Sequence, residues 1–206
     1  VIDHPIFLES IKFIRSHLGA NDLNYLEKKV LERLVHTSGD FSVQNLLEFS
    51  EGACEKGLQA LKNGAPILTD TDMAAVAIKS MAENTNRNKV FTARRWFQEN
   101  NHAKLTKTAY GLSEGWKALS VKNSGIKSPI IAIGSSPTAL TYIIDILENA
   151  KVLPSLIIGM PVGFIGVEKS KNKLISTNLP RIVLNSTRGG AAMAAATVNA
   201  LLRETI

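Results

Sequence analysis

One stretch of the chain offers acid–base chemistry in a defined local setting: Arg-Leu-Val-His-Thr-Ser-Gly-Asp at 33–40. The apolar spacing of Leu23, Leu26, Val30 and Leu34 predicts a helix over about 23–35, with His36 at its C-terminal end. A protonated imidazole there gains from the helix dipole, which predicts a raised pKa and a proton donor near neutral pH. A plain helix cap would occupy the same place, and Thr37, Ser38 and Gly39 supply the turn in either case. Upstream, DHPIFLESIKFIRSHLG predicts a helix with Asp3 as N-cap, Pro5 in the first turn and Gly19 as the stop. Ile6, Ile14 and Leu18 share one face of it, and Ser10 lies on that face. Such a serine either bonds back to a helix carbonyl or points into a pocket.

Anion-binding chemistry is suggested by three turns in the C-terminal half: GSSPTAL (134–140), GMPVGF (159–164) and NSTRGGA (185–191). Each offers small residues, hydroxyls and backbone N–H groups at a helix start, a cradle for carboxylate or phosphate oxygens. Arg188 adds a guanidinium fork able to take a carboxylate bidentately. Ordinary strand-to-helix turns would carry the same glycines. There is no GxGxxG and no GxxxxGK[ST], so dinucleotide and P-loop signatures are missing, and GLSEG (111–115) falls inside a helical stretch rather than at a strand-to-helix turn, so there is no nucleophile elbow. Four histidines and Cys54 form no set at metal-ligand spacing, and Asp70 and Asp72 stand where helix caps are expected. Among the titratable groups, His36 is the best acid–base candidate.

The elements that must position these residues are legible in outline. A third helix is predicted over about 42–63, capped by Asp40 or Ser42 and ended by Gly64. APILTD (65–70) reads as a short buried strand leading into a helix. A strand around Val90-Phe91 and a helix over 108–120 follow. Three apolar strands, each followed by a polar turn and an amphipathic helix, then fill the C-terminal half. Near-continuous apolar strands alternating with helices indicate a parallel sheet covered on both faces. The expectation is a three-layer, doubly wound α/β fold forming one domain over 1–206.

With 206 residues, 45% of them hydrophobic, the chain is long enough for a sizeable core. The net charge of +6 and pI near 9.5 favour anionic partners. The basic residues are scattered and lack an aromatic-basic stripe, which argues against nucleic acid and for a small anionic ligand. A single cysteine excludes an intramolecular disulfide and suits a reducing cytoplasm. No apolar run reaches a membrane span, and no basic-then-apolar leader opens the chain.

Taken in order, these motifs resemble the precorrin-8X methylmutases, including the cobalt-precorrin-8 form, of vitamin B12 biosynthesis. IFLESIKFIR is similar to the family's opening helix with its serine, and ERLVHTSGD to its histidine signature. GAPILTDTDMAAVAI, AIGSSPTAL, LIIGMPVGFIGVEKSK and RGGAAMAAATVNALL resemble its later blocks. The resemblance implies a flavodoxin-like fold, a homodimer, and an isomerase that moves a methyl group from C-11 to C-12 of a corrin precursor. It implies that His36 protonates the macrocycle and that Ser10, Thr106, Lys107, Arg188 and Gly189 contact a polycarboxylate corrinoid substrate. No cofactor or protein-bound metal is implied; cobalt, where present, arrives with the substrate. Two departures from the pattern stand out: Lys107 stands where the family has arginine, and Ser135-Ser136 replace Asn-Ala. A non-catalytic corrinoid carrier and a phosphate or nucleotide binder are the rival expectations.

Overall fold

The apolar runs become the interior strands of one sheet. The computed structural model describes residues 4–97 and 105–206. In chain order the elements are α1 (Pro5–His17), α2 (Tyr25–Ser38), β1 (Leu47–Phe49), α3 (Ala53–Lys62), β2 (Ile67–Thr69), α4 (Asp72–Asn84), β3 (Val90–Thr92) and α5 (Lys107–Ser120). They continue with β4 (Ile130–Ile133), α6 (Pro137–Leu147), β5 (Leu156–Gly159), α7 (Val167–Ile175), β6 (Arg181–Leu184) and α8 (Ala191–Arg203). The strand order is β1-β6-β5-β4-β2-β3, parallel except for β1. This is the expected three-layer α/β arrangement.

Side chains alternate across the strands and so feed two cores. Ile130, Ala132, Leu156, Ile158, Ile182 and Leu184 face helices α1, α2, α3, α4 and α8. Leu68, Ile131, Ile133, Ile157 and Val183 face α5, α6 and α7. Helix α8 is buried along nearly its whole length, which explains its run of alanines: small residues let neighbouring helices approach.

Several expected boundaries move. The helix predicted over 42–63 is instead a 3-10 turn (Phe41–Asn45), strand β1 and helix α3. Asp40 Oδ1 caps the 3-10 turn through the Ser42 amide. Leu47–Phe49 pair antiparallel with Ile182–Leu184, and Gly52 takes a left-handed φ of 66° before α3 begins. Pairing with a sheet edge outweighs the local helical periodicity. Helix α2 runs on to Ser38, so His36 lies inside its last turn. Helix α1 ends at His17 with Leu18 as its C-cap, before Gly19, and its buried stripe is Ile11 and Ile14, whereas Ile6 is 67% exposed. The expected cap Asp3 lies outside the described residues; the His4 Nδ1 accepts from the Ile6 amide at that end. Thr71, and neither Asp70 nor Asp72, caps α4. Among the described residues no helix is long and apolar enough to cross a membrane.

Candidate functional site

Helix α2 delivers His36. Asn24 and Glu27 form a reciprocal capping box at its start, and Gly39, at φ 66°, closes its end. The His36 ring stands edge-on to Phe7, with centroids 5.1 Å apart. Its pKa is lowered from the ordinary 6.5, first by partial burial and then by the charge of Arg33 one turn earlier. This reverses the expectation of a dipole-raised value. Desolvation and a neighbouring cation both disfavour the imidazolium, and together they outweigh a helix terminus. The imidazole lines a groove of about 610 Å³ with Ser10, Phe13 and Ile14 of α1, Val35, Gly39 and Phe41. Ser10 does both things its position allowed: Oγ donates to the Ile6 carbonyl at 2.9 Å, and the side chain lines the groove.

On the other flank of α1 lies a cleft of about 620 Å³ that holds Arg15, Lys29, Arg33 and Arg203 with Glu32 and Glu204. Arg15 pairs with Glu32 at 2.6 Å, and the guanidinium groups of Arg33 and Arg203 cover the Phe7 ring at 5.1 and 4.8 Å. Among the described residues the buried Arg33 Nε has no hydrogen-bond partner. Sequence reasoning passed over Arg33, although its i, i+3 spacing from His36 was visible.

The carboxyl ends of the strands form the second part of the site. Strand order reverses between β2 and β4, where ligands of open parallel sheets bind. Here that place is filled from within. The buried Asp70 carboxylate accepts from the amides of Gly134, Ser135 and Ser136 at 3.2, 2.7 and 3.0 Å. Burial pushes the Asp70 pKa up while those amides draw it back. The N–H groups of Gly134, Ser135 and Ser136, expected to be free for a ligand in GSSPTAL, are therefore already satisfied. Asp70 is no helix cap, and its place directly after a buried strand was the only signal of this role.

The three turns are knit together. Gly163 N–H donates to the Thr187 carbonyl at 3.0 Å and Gly190 N–H to the Met160 carbonyl at 2.9 Å. Gly189, at φ 154°, has no room for a side chain, since a Cβ would collide with the Met160 carbonyl. Arg188 reaches away from its own turn to the end of α2: Nη1 donates to Ser42 Oγ at 2.6 Å and Nη2 pairs with Asp40. The expected guanidinium fork is thus engaged within the chain. The hydroxyl and amide of Ser42, together with Arg188, hold the Asp40 pKa below the usual carboxylate range.

Beneath this turn sits Lys171, which is fully buried; its Nζ donates to the carbonyls of Ser186 and Arg188 at 2.7 and 2.6 Å. Burial lowers its pKa to about 8. It was not singled out in the sequence, although it shares an apolar i, i+4, i+7 row with Val167 and Leu174. Thr106 caps α5 and joins Thr138 and Ser136 in a chain of hydroxyls at 3.1 and 3.0 Å, with Lys107 exposed beside it. Thus Ser10 and His36 share one groove, and Arg188, with Gly189 next to it in the chain, is tied to the segment after α2 through Asp40 and Ser42. No hydrogen bond or ion pair among the described residues links Thr106 or Lys107 to it. Among those residues no group of three or more His, Cys, Asp or Glu is placed to hold a metal ion.

The precorrin-8X methylmutase family model matches residues 5–204. The precorrin-8X methylmutase of Pseudomonas aeruginosa is 34% identical over 203 residues, covering 97% of this chain and 94% of that protein. The cobalt-precorrin-8 methylmutase of Synechocystis is 30% identical, with 98% and 95% covered. Among solved structures, the precorrin-8X methylmutase of Thermus thermophilus superposes with a TM-score of 0.84 at 28% identity, covering 97% of this chain and 95% of that one. With a match running from the first turn of α1 to the end of α8, the chain belongs to the precorrin-8X methylmutase family, whose members are methyl-transferring isomerases of cobalamin biosynthesis.

Proposed function

We propose that this protein moves a methyl group from C-11 to C-12 of precorrin-8 or cobalt-precorrin-8, with His36 as the general acid. The observation that carries the proposal is the sharing of one open groove by His36 and Ser10 in a chain that matches the family from end to end. In the proposed step His36 donates a proton to the macrocycle, the methyl group migrates, and a proton is lost again as the corrin chromophore forms. The reaction is an isomerisation, so the proton given must be recovered. General acid catalysis of this kind contributes roughly 10²–10⁴-fold, and a fixed ring geometry supplies much of the remainder. No cofactor enters the proposal.

The net charge of +6 and the cationic flank of α1 suit a substrate with many carboxylates. Ser10, Thr106, Lys107, Arg188 and Gly189 are its proposed contacts, Arg188 through its backbone as much as its engaged side chain. A homodimer is part of the proposal, supported by large apolar side chains left exposed on α1: Ile6, Leu8 and Phe13. The cytoplasm is the proposed location, supported by the single free thiol, Cys54, which is buried. The nucleotide-binding alternative gains nothing from the turn at Gly134, whose amides Asp70 already occupies.

The test is anaerobic turnover of cobalt-free and cobalt-containing precorrin-8, in excess over protein, followed by visible spectroscopy. Conversion to a corrin spectrum over many turnovers is expected with one of them, and His36→Ala should lose turnover while still binding pigment. A fully active His36→Ala variant would sink the assignment, and bound pigment without wild-type turnover would identify a carrier instead.

A further inference from the structure

The peptide units around Arg188 have an orientation that their side chains do not reveal. The carbonyls of Ser186 and Arg188 both point at the buried Lys171 ammonium. In a trans peptide the N–H of the next residue is antiparallel to that carbonyl, and the chain has no cis peptide bond among its described residues. The amides of Thr187 and Gly189 therefore point away from Lys171. Among the described residues neither amide has a hydrogen-bond acceptor, whereas those of Ser186, Arg188 and Gly190 do. Both residues are half-buried, so these donors remain within reach of a ligand.

Lys171 is unusual on its own account. It is fully buried, and no carboxylate forms a salt bridge with it among the described residues. A buried ammonium held by carbonyls is costly to desolvate, and Glu168 offsets that only in part, without forming an ion pair, so the fold keeps a positive charge directly under two open donors. Resting on the methylmutase proposal, we infer that Lys171 is a positioning residue that turns the Thr187 and Gly189 amides outward to receive one carboxylate side chain of the substrate. Gly189 is fixed for the same task by its close approach to Met160. The ion pair of Arg188 with Asp40 and its bond to Ser42 hold this cradle against the end of α2, which carries His36. Lys171 itself touches no substrate atom.

Two measurements test the inference. In Lys171→Met the ammonium is gone but most of the unbranched apolar stem is kept. The expected result is a KM raised about tenfold to a hundredfold, the value of a lost charge-assisted contact, with kcat within about threefold of wild type. A purely structural lysine would lower stability and kcat together and leave KM in place, and that result would overturn the inference. The second measurement uses the unaltered protein and so does not depend on the variant folding. On addition of cobyrinate, the amide proton resonances of Thr187 and Gly189 should move downfield, and fully esterified cobyrinate should leave them in place. Wild-type turnover with unmoved amides overturns the inference alone, whereas absence of both turnover and pigment binding overturns the methylmutase proposal and this inference with it.

Discussion

His36 stands where two electrostatic influences of opposite sign meet. The end of α2 favours the imidazolium, while partial burial and the Arg33 guanidinium disfavour it, and the net shift is downward from 6.5. In the free enzyme a required imidazolium is then lost as pH rises through a value below 6.5, so kcat/KM should fall along that limb. A bound polycarboxylate returns negative charge to the site, so the limb of kcat should lie at higher pH than that of kcat/KM. Coincident limbs in the two profiles would contradict this. Arg33→Gln should move the kcat/KM limb upward, because one of the two depressing causes is removed. For folding the sign is the usual one for a depressed group: the contribution is present above the ordinary histidine pKa and lost as pH falls through the depressed value. Asp70 makes a separate prediction. Asp70→Asn replaces one acceptor oxygen by a donor that must face either the amide of Gly134 or those of Ser135 and Ser136. The expected cost is on the order of 3 kcal/mol, or about 6–12 °C in a thermal melt.

At the scale of elements, the groove exists because α1 lies on α2 through only a narrow ridge. Ile11 and Ile14 are buried there, leaving Ser10 and Phe13 on one flank and Lys12 and Arg15 on the other. Ser10 satisfies its own hydrogen through Ile6, so α1 does not depend on it. Ser10→Ala should leave the melting temperature within about 2 °C, as expected of a back-bonding helix serine, while raising KM. A large thermal loss would instead make Ser10 part of the helix packing. The β6–α8 turn has the opposite character. Gly189→Ala forces a residue with a Cβ into a φ of 154° against the Met160 carbonyl, at a strain of about 1–3 kcal/mol. The turn must open, and KM should rise more than stability falls. A variant with wild-type KM would show that the turn does not carry substrate.

Exposed large apolar side chains occur on several elements: Ile6, Leu8 and Phe13 on α1, Met73 and Val76 on α4, Phe164 and Ile165 between β5 and α7. A lone chain gains nothing by wetting such groups, and the proposed pairing with a second copy would take those at its interface out of water. Sedimentation at micromolar concentration should therefore give about twice the 22.3 kDa chain mass. A monomer at that concentration would remove the homodimer from the proposal.

How much of this was legible in the sequence follows from how local each signal is. The runs at 130–133, 156–159 and 181–184 announced interior parallel strands because a strand covered on both faces must be apolar at nearly every position. Ser10 and His36 were readable for a similar reason, since helical spacing and a left-handed glycine sit within a few residues of them. The segment 42–63 was misread because β1 owes its existence to a partner more than a hundred residues away. Asp70 looked like a helix cap until β2 and β4 were side by side, and the sign of the His36 shift depended on which groups pack around it. Lys171 was invisible as a functional group because its charge acquires meaning only from the two carbonyls above it. The sequence alone thus determined which segments are strands and helices over most of the chain and put His36 forward as the candidate proton carrier. Only the tertiary structure decided which donors are spent and which are open, because hydrogen bonds and desolvation between distant segments depend on distances that no local pattern contains.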